Sequence, residues 1–151
     1  MVLGADKLAA IPAGSRVYLD ANVWIYALEG FEPFSEALKR LFERVDRSDL
    51  IAVTSELTVA EVLVKPFSSS KVALQQLYLE TLQSGEGLIV VPLDRSVLIE
   101  AAKLRAGHAS IKLPDAIHAA TALAQHTNVF LTGDARFDTI AGINAIVLHA
   151  N

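Results

Sequence analysis

The chain has 151 residues and a mass of 16.2 kDa, enough for one domain with a substantial core. Hydrophobic residues make up 52% of it, yet no apolar run reaches the roughly eighteen residues that a bilayer span needs, so no membrane partner is expected. The net charge of −4 argues against a nucleic-acid binder working by bulk charge but leaves room for an enzyme with an acidic pocket, and the absence of cysteine excludes disulfides and thiolate metal sites.

A mean hydropathy of +0.39 is high and points to a well-covered sheet and a subunit interface, so a homodimer is expected. Met1 to Lys7 shows no basic segment followed by an apolar one, which predicts no secretory signal and a cytoplasmic protein.

Residues 1–15 contain Pro12 and Gly14 and read as an irregular lead-in. A first strand follows at Arg16 to Leu19, ending in Asp20, and a short helix through Trp24, Ile25 and Leu28 stops near Gly30. Pro33 suits a helical first turn, and Phe34, Leu38, Leu41 and Val45 then recur at helical spacing among charged residues. Leu50 to Thr54 is a second strand, and Ser55 caps a helix expected over Glu56–Lys65 and stopped by Pro66. Phe67 to Ser70 reads as a linker before a helix over Lys71–Gln83. Leu88 to Pro92 is a third strand, after which Asp94 caps a helix reaching about Gly107. An apolar helix over Ala116–Gln125 follows Leu113-Pro114-Asp115, and a strand at Asn128 to Thr132 leads into a turn at Gly133 to Asp138. Ala145 to Leu148 closes the pattern. Continuous apolar strands alternating with helices predict an α/β fold with a parallel sheet covered on both faces.

In such sheets, ligands bind outside the carboxyl ends of the strands. Asp20 ends the first strand and Asp134 lies just past the fourth, while Asp115 opens a helix and Glu61 lies on the helix after the second strand. Each has an ordinary explanation. Asp20 can cap a helix, Glu61 can pair with Lys65 for roughly 0.2–0.5 kcal/mol, Asp115 can complement a helix dipole for about 0.3–1 kcal/mol, and Asp134 beside Gly133 can be turn chemistry. Against that stand the apolar neighbours of Glu61 and Asp115, which predict helices buried on most sides with their few acids facing a cleft. His118 shares a face with Asp115 and reads as a hydrogen-bonded, partly buried residue; Trp24 and Tyr26 read as core rather than as base-stacking platforms.

Val17-Tyr18-Leu19-Asp20-Ala21-Asn22-Val23-Trp24, the Glu61 helix, Leu113-Pro114-Asp115-Ala116-Ile117-His118-Ala119-Ala120-Thr121-Ala122 and Phe130-Leu131-Thr132-Gly133-Asp134-Ala135-Arg136-Phe137 together resemble the ordered motifs of PIN domains, in particular the toxin ribonucleases of VapBC-type toxin–antitoxin pairs. The resemblance runs from Val17 to Leu148 and implies one domain of three α/β/α layers with a five-stranded parallel sheet. It implies a metal-dependent endoribonuclease whose acids Asp20, Glu61, Asp115 and Asp134 hold Mg²⁺ or Mn²⁺, with Asn22 and Thr132 in support, and products with 5′-phosphate and 3′-hydroxyl ends. A protein antitoxin is the implied partner and RNA the implied substrate. Some family members carry a further acid where this chain has Arg136, and Asp138 is the candidate substitute.

Two unit charges about 4 Å apart repel by roughly 4 kcal/mol at an effective dielectric near 20, so converging carboxylates are expected to have raised pKa values without a cation. Oxygen-only ligands suit a hard divalent ion. Two other functions were weighed. A phosphoryl-accepting receiver domain gathers acids in the same way, but the last strand here is followed by His149 rather than a lysine, and helix-borne Glu61 and Asp115 do not fit it. A non-catalytic PIN-like module binding RNA or protein is disfavoured by the presence of all four acids.

Overall fold

The computed structural model describes residues 2–150, with the side chains of residues 2, 3 and 150 left aside; the reading of the lead-in therefore applies here from Val2 onward, Met1 lying outside the described residues. Five strands form one parallel sheet: β2 (Arg16–Leu19), β3 (Ile51–Ser55), β4 (Leu88–Val91), β5 (Val129–Thr132) and β6 (Ala145–Val147), in the spatial order β4-β3-β2-β5-β6. A short antiparallel pair, β1 (Val2–Leu3) with β7 (His149–Ala150), joins the two ends of the chain.

Alternation along each strand sorts the core into two layers. Val17, Leu19, Ala52, Val129 and Leu131 face one side, against α2 (Ala21–Leu28), α3 (Ser35–Asp46), α4 (Glu56–Ser68) and α5 (Val72–Thr81). Tyr18, Val53 and Phe130 face the other, against α6 (Arg95–Gly107), α7 (Leu113–Ala124) and the 3₁₀ turn Ala135–Thr139. Strands covered on both sides need apolar residues at every position, which is why β2 and β5 read as unbroken apolar runs rather than alternating ones. The expected three-layer α/β/α architecture is the one observed.

Several local expectations are corrected. The lead-in contains β1 and a short helix, α1 (Ala5–Ala9), because Leu8 and Ile11 are drawn into the core and Arg44 secures their carbonyl oxygens, at 2.7 Å for Ile11. Pro33 precedes its helix, which starts at Ser35. Pro66 does not stop α4, which runs on to Ser68; the proline forgoes one backbone hydrogen bond, while the Ser68 hydroxyl and the Ser69 N–H both donate to the Lys65 carbonyl and hold the last turn. Helix α7 begins at Leu113, so Pro114 and Asp115 lie inside its first turn, the position that tolerates a proline. Helix α4 is also less buried than expected, with Val64 and Phe67 more than half exposed. By contrast α7 is sheathed from Ala116 to Ala122.

Candidate active site

The register of the central strands assembles the site. Leu19 on β2 pairs with Leu131 on β5, so the next residues, Asp20 and Thr132, emerge side by side at the carboxyl edge of the sheet. Asp20 is 5% exposed and caps α2: Oδ1 accepts from the Val23 N–H at 3.2 Å, and Oδ2 accepts from the Thr132 hydroxyl at 2.5 Å. The Thr132 oxygen in turn accepts from the Asp134 N–H at 3.0 Å, so one hydroxyl joins the two acidic ends. Gly133 between them lies close under Tyr26: a Cβ there would stand 3.0 Å from the Tyr26 hydroxyl, so the ring would have to give by a few tenths of an ångström to admit one. Tyr26, half-buried on Phe34, thus overhangs the turn instead of lying in the core, and burial followed by the Asp20 charge raises its pKa.

Glu61 and His118 come together from helices on opposite faces of the sheet. His118 Nε2 lies 2.5 Å from a Glu61 oxygen and its Nδ1 lies 2.6 Å from the Tyr18 hydroxyl. Burial, reinforced by Asp20 and Glu61, holds the Tyr18 phenol well above its ordinary pKa. The phenol therefore keeps its proton and donates it to Nδ1, which leaves Nε2–H to donate to Glu61. The expected Glu61–Lys65 pair is not among the ion pairs of the described residues; Glu61 is turned toward His118 instead.

Asp115 and Asp134 meet through Arg136. The Arg136 Nε donates to both oxygens of Asp134, at 3.0 and 2.9 Å, and Nη2 bonds the same carboxylate. Nη2 also reaches Asp115 Oδ2 at 3.5 Å, and Nη1 donates to the Ser110 carbonyl at 2.9 Å. Asp115 accepts from the Lys112 N–H at 3.2 Å, closing the first turn of α7.

The four acids therefore fall into two groups bridged by Thr132. Asp20 feels the charge of Glu61, whereas Asp115 and Asp134 share a guanidinium. The expectation that crowding raises the acids' pKa values is corrected by this arrangement. The Asp20 pKa is pushed up to about 6, but chiefly by burial, with the Glu61 charge the smallest of the causes. Asp134 moves the other way, held below the usual carboxylate range by its hydrogen bonds to Arg136. Asn22 is exposed on α2. Asp138 lines a pocket with Gly4, Lys7, Ala135, Ala145, Val147 and His149.

Among the described residues no three of His, Asp and Glu form a ready-made ion site. The reason is visible in the partners: Arg136 holds two of the acids and His118 a third. The donor chemistry nonetheless fits a hard divalent cation around Asp20, a buried carboxylate that among the described residues no guanidinium or ammonium contacts and whose ionised form burial disfavours. Sequence reasoning missed Arg136 as a partner of Asp115 and Asp134, and His118 as the holder of Glu61. The signal for Arg136 is its place directly before Phe137, where some members of the resembled family carry an acid.

Comparison with known proteins agrees with the fold. No curated protein matches the chain by sequence. Among solved structures, VapBC2 from Rickettsia felis bound to a promoter DNA fragment superposes with a TM-score of 0.69 at 19% identity, over 89% of this chain and 99% of that one. A toxin–antitoxin complex from Klebsiella pneumoniae gives 0.63 at 23% identity, over 84% and 94%. FitAcB from Neisseria gonorrhoeae gives 0.60 at 19%, over 86% and 96%. These likenesses are of fold. The sequence itself matches the profile of the PIN domain over residues 17–143, a span that contains β2 to β5 and all four acids, and the chain accordingly belongs to the PIN domain family.

Proposed function

We propose that the protein is a metal-dependent endoribonuclease that hydrolyses RNA phosphodiester bonds, and that it acts as the VapC-like toxin of a toxin–antitoxin pair. The observation that carries the catalytic reading is the gathering of Asp20, Glu61, Asp115 and Asp134, far apart in sequence, at the carboxyl edge of neighbouring parallel strands in a PIN-family chain. Asp20 and Glu61 would hold Mg²⁺ or Mn²⁺, with Asp134 reached through Thr132 and Asp115 completing the acidic wall. When bound, such an ion supplies Lewis acidity, easing deprotonation of the attacking water and offsetting charge that develops on the phosphate oxygens. The chain's own groups keep the ligands in place. Thr132 and the Val23 N–H fix the Asp20 carboxylate, and the Tyr18–His118 pair aims Glu61. Asn22, exposed on α2 two residues after Asp20, would act in support of the cluster.

The toxin role is supported by the structural neighbours, which come from toxin–antitoxin complexes; it brings with it a protein antitoxin as partner, a homodimer and a cytoplasmic location. No helix among the described residues is long and apolar enough to cross a membrane. Arg136, which already satisfies two acids, favours the second reading, a non-catalytic PIN-like module that binds RNA or protein.

Incubation of end-labelled RNA with the protein separates the two. Cleavage that needs Mg²⁺ or Mn²⁺, leaves 5′-phosphate ends and falls about 10²–10³-fold in Asp20→Asn and Asp115→Asn is the expected result, that being the scale of losing one charge-stabilising group. Undiminished cleavage in EDTA contradicts the metal reading, and no cleavage under any condition leaves the binding module.

A further inference from the structure

Arg136 occupies the place where some members of the resembled family carry an acid, and it puts a positive charge there instead. Nε and Nη2 grip Asp134, Nη2 reaches Asp115, and Nη1 is anchored on the Ser110 carbonyl in the loop before α7. Its place is built: the Asp134 carboxylate also accepts from the Arg136 N–H at 2.9 Å, so backbone and side chain of the same residue clasp one carboxylate. A guanidinium stays charged at any physiological pH and meets a carboxylate through a flat fork of donors, so it permanently offsets one of the two charges that these acids carry. Asp20, on the other side of Thr132, has no such partner.

We propose that Arg136 takes the place of a second divalent cation, so that the centre loads one ion, on the Asp20 and Glu61 side, while the guanidinium occupies Asp134 and offsets part of the charge it shares with Asp115. The inference rests on the reading of these acids as cation ligands. In two-metal centres the ions stand about 3.5–4 Å apart across shared carboxylates. A second dication among Asp115 and Asp134 would have to displace a guanidinium bound to both, or sit against it as a like charge. One dication and the guanidinium bring three positive charges to the four carboxylates and leave the centre net negative, whereas a second dication would turn it net positive beside a guanidinium that cannot lose its charge.

The test is the number of Mn²⁺ ions bound per chain, followed by the loss of the free-ion electron paramagnetic resonance signal and by calorimetry, for the wild-type protein, Arg136→Gln and Arg136→Lys. Circular dichroism verifies that each variant is folded. The wild-type protein is expected to saturate at one ion. Arg136→Gln is expected to take a second, or to bind the first at least about tenfold more tightly, a change of about 1.4 kcal/mol. Arg136→Lys retains the charge and is expected to stay at one. Equal stoichiometry and affinity in wild type and Arg136→Gln would overturn the proposal, as would a wild-type protein that takes two ions. If the wild-type protein and both variants bind ions equally well and the wild type cleaves RNA only with metal, the role of Arg136 fails and the nuclease reading stands. If it binds none and cleaves in EDTA, both fail.

Discussion

The two halves of the acidic edge solve the same electrostatic problem in opposite ways. On the Asp20 side a carboxylate is buried at the end of a central strand with only neutral donors, a hydroxyl and an amide, so its charged form is disfavoured. On the Asp134 side a carboxylate of the same kind lies more open and is clasped by a guanidinium, so its charged form is favoured. The lesson is that carboxylates brought together by topology need not share a fate. What decides it is whether the next few residues of the chain carry a cation. Here the residue two positions after Asp134 does, and those flanking Asp20 do not.

That contrast has opposite pH signatures. With the Asp20 pKa raised from the ordinary 3.8 to about 6, both folded and unfolded chains hold the proton below about pH 4 and no cost arises there. Between about 4 and 6 the native state binds the proton more tightly than the unfolded chain, so stability falls as pH rises, and above about 6 the full cost is carried. Asp20→Asn removes it. The ion-free variant should gain on the order of 2–3 kcal/mol over the wild type between pH 4 and 7 in urea unfolding; parallel curves would erase the distinction between the halves. Asp134 has its pKa lowered, so its contribution is present above the ordinary carboxylate value and is lost as pH falls through the lowered one. Arg136→Gln should abolish that acid-side loss and leave the Asp20 slope untouched, which sharpens the contrast by titrating each half alone.

A smaller effect is expected from the bridge between the halves. Thr132→Val leaves Asp20 Oδ2 and the Asp134 N–H without their shared partner, which should cost about 1–3 kcal/mol at neutral pH and less at pH 4, where Asp20 is protonated. A pH-independent loss would mean that packing alone is at stake. Smallest is Tyr18→Phe, which deletes one buried hydrogen bond to His118 and should cost about 1 kcal/mol in chemical unfolding. If cleavage is unchanged by this substitution, His118 does not need the phenol to aim Glu61.

Much of the architecture was legible in the chain. Continuous apolar runs such as Val129 to Leu131 announce buried parallel strands, and the acid at the end of Val17 to Leu19 marks the sheet edge where ligands bind. What stayed hidden shares one cause. The partner of Glu61 is His118, 57 positions away on a helix across the sheet, and the partner of Asp115 is Arg136, 21 positions away. Neither spacing has a periodic signature, because the pairing is made by sheet order and not by any one helix face. The failure at Pro66 is different: a proline in a last turn loses only one bond, and Ser68 with Ser69 held the end. The lead-in was misread because Leu8 and Ile11 gain their order from Arg44 on a distant helix.

The central claim is that a divalent ion belongs on the Asp20 side and that Arg136 serves the other. A crystal of the protein grown with Mn²⁺ tests this through the metal's anomalous scattering. One peak within about 2.0–2.3 Å of an Asp20 oxygen, with Arg136 still on Asp134, is the predicted map. Two peaks, or a single peak between Asp115 and Asp134 with Arg136 swung away, would contradict it.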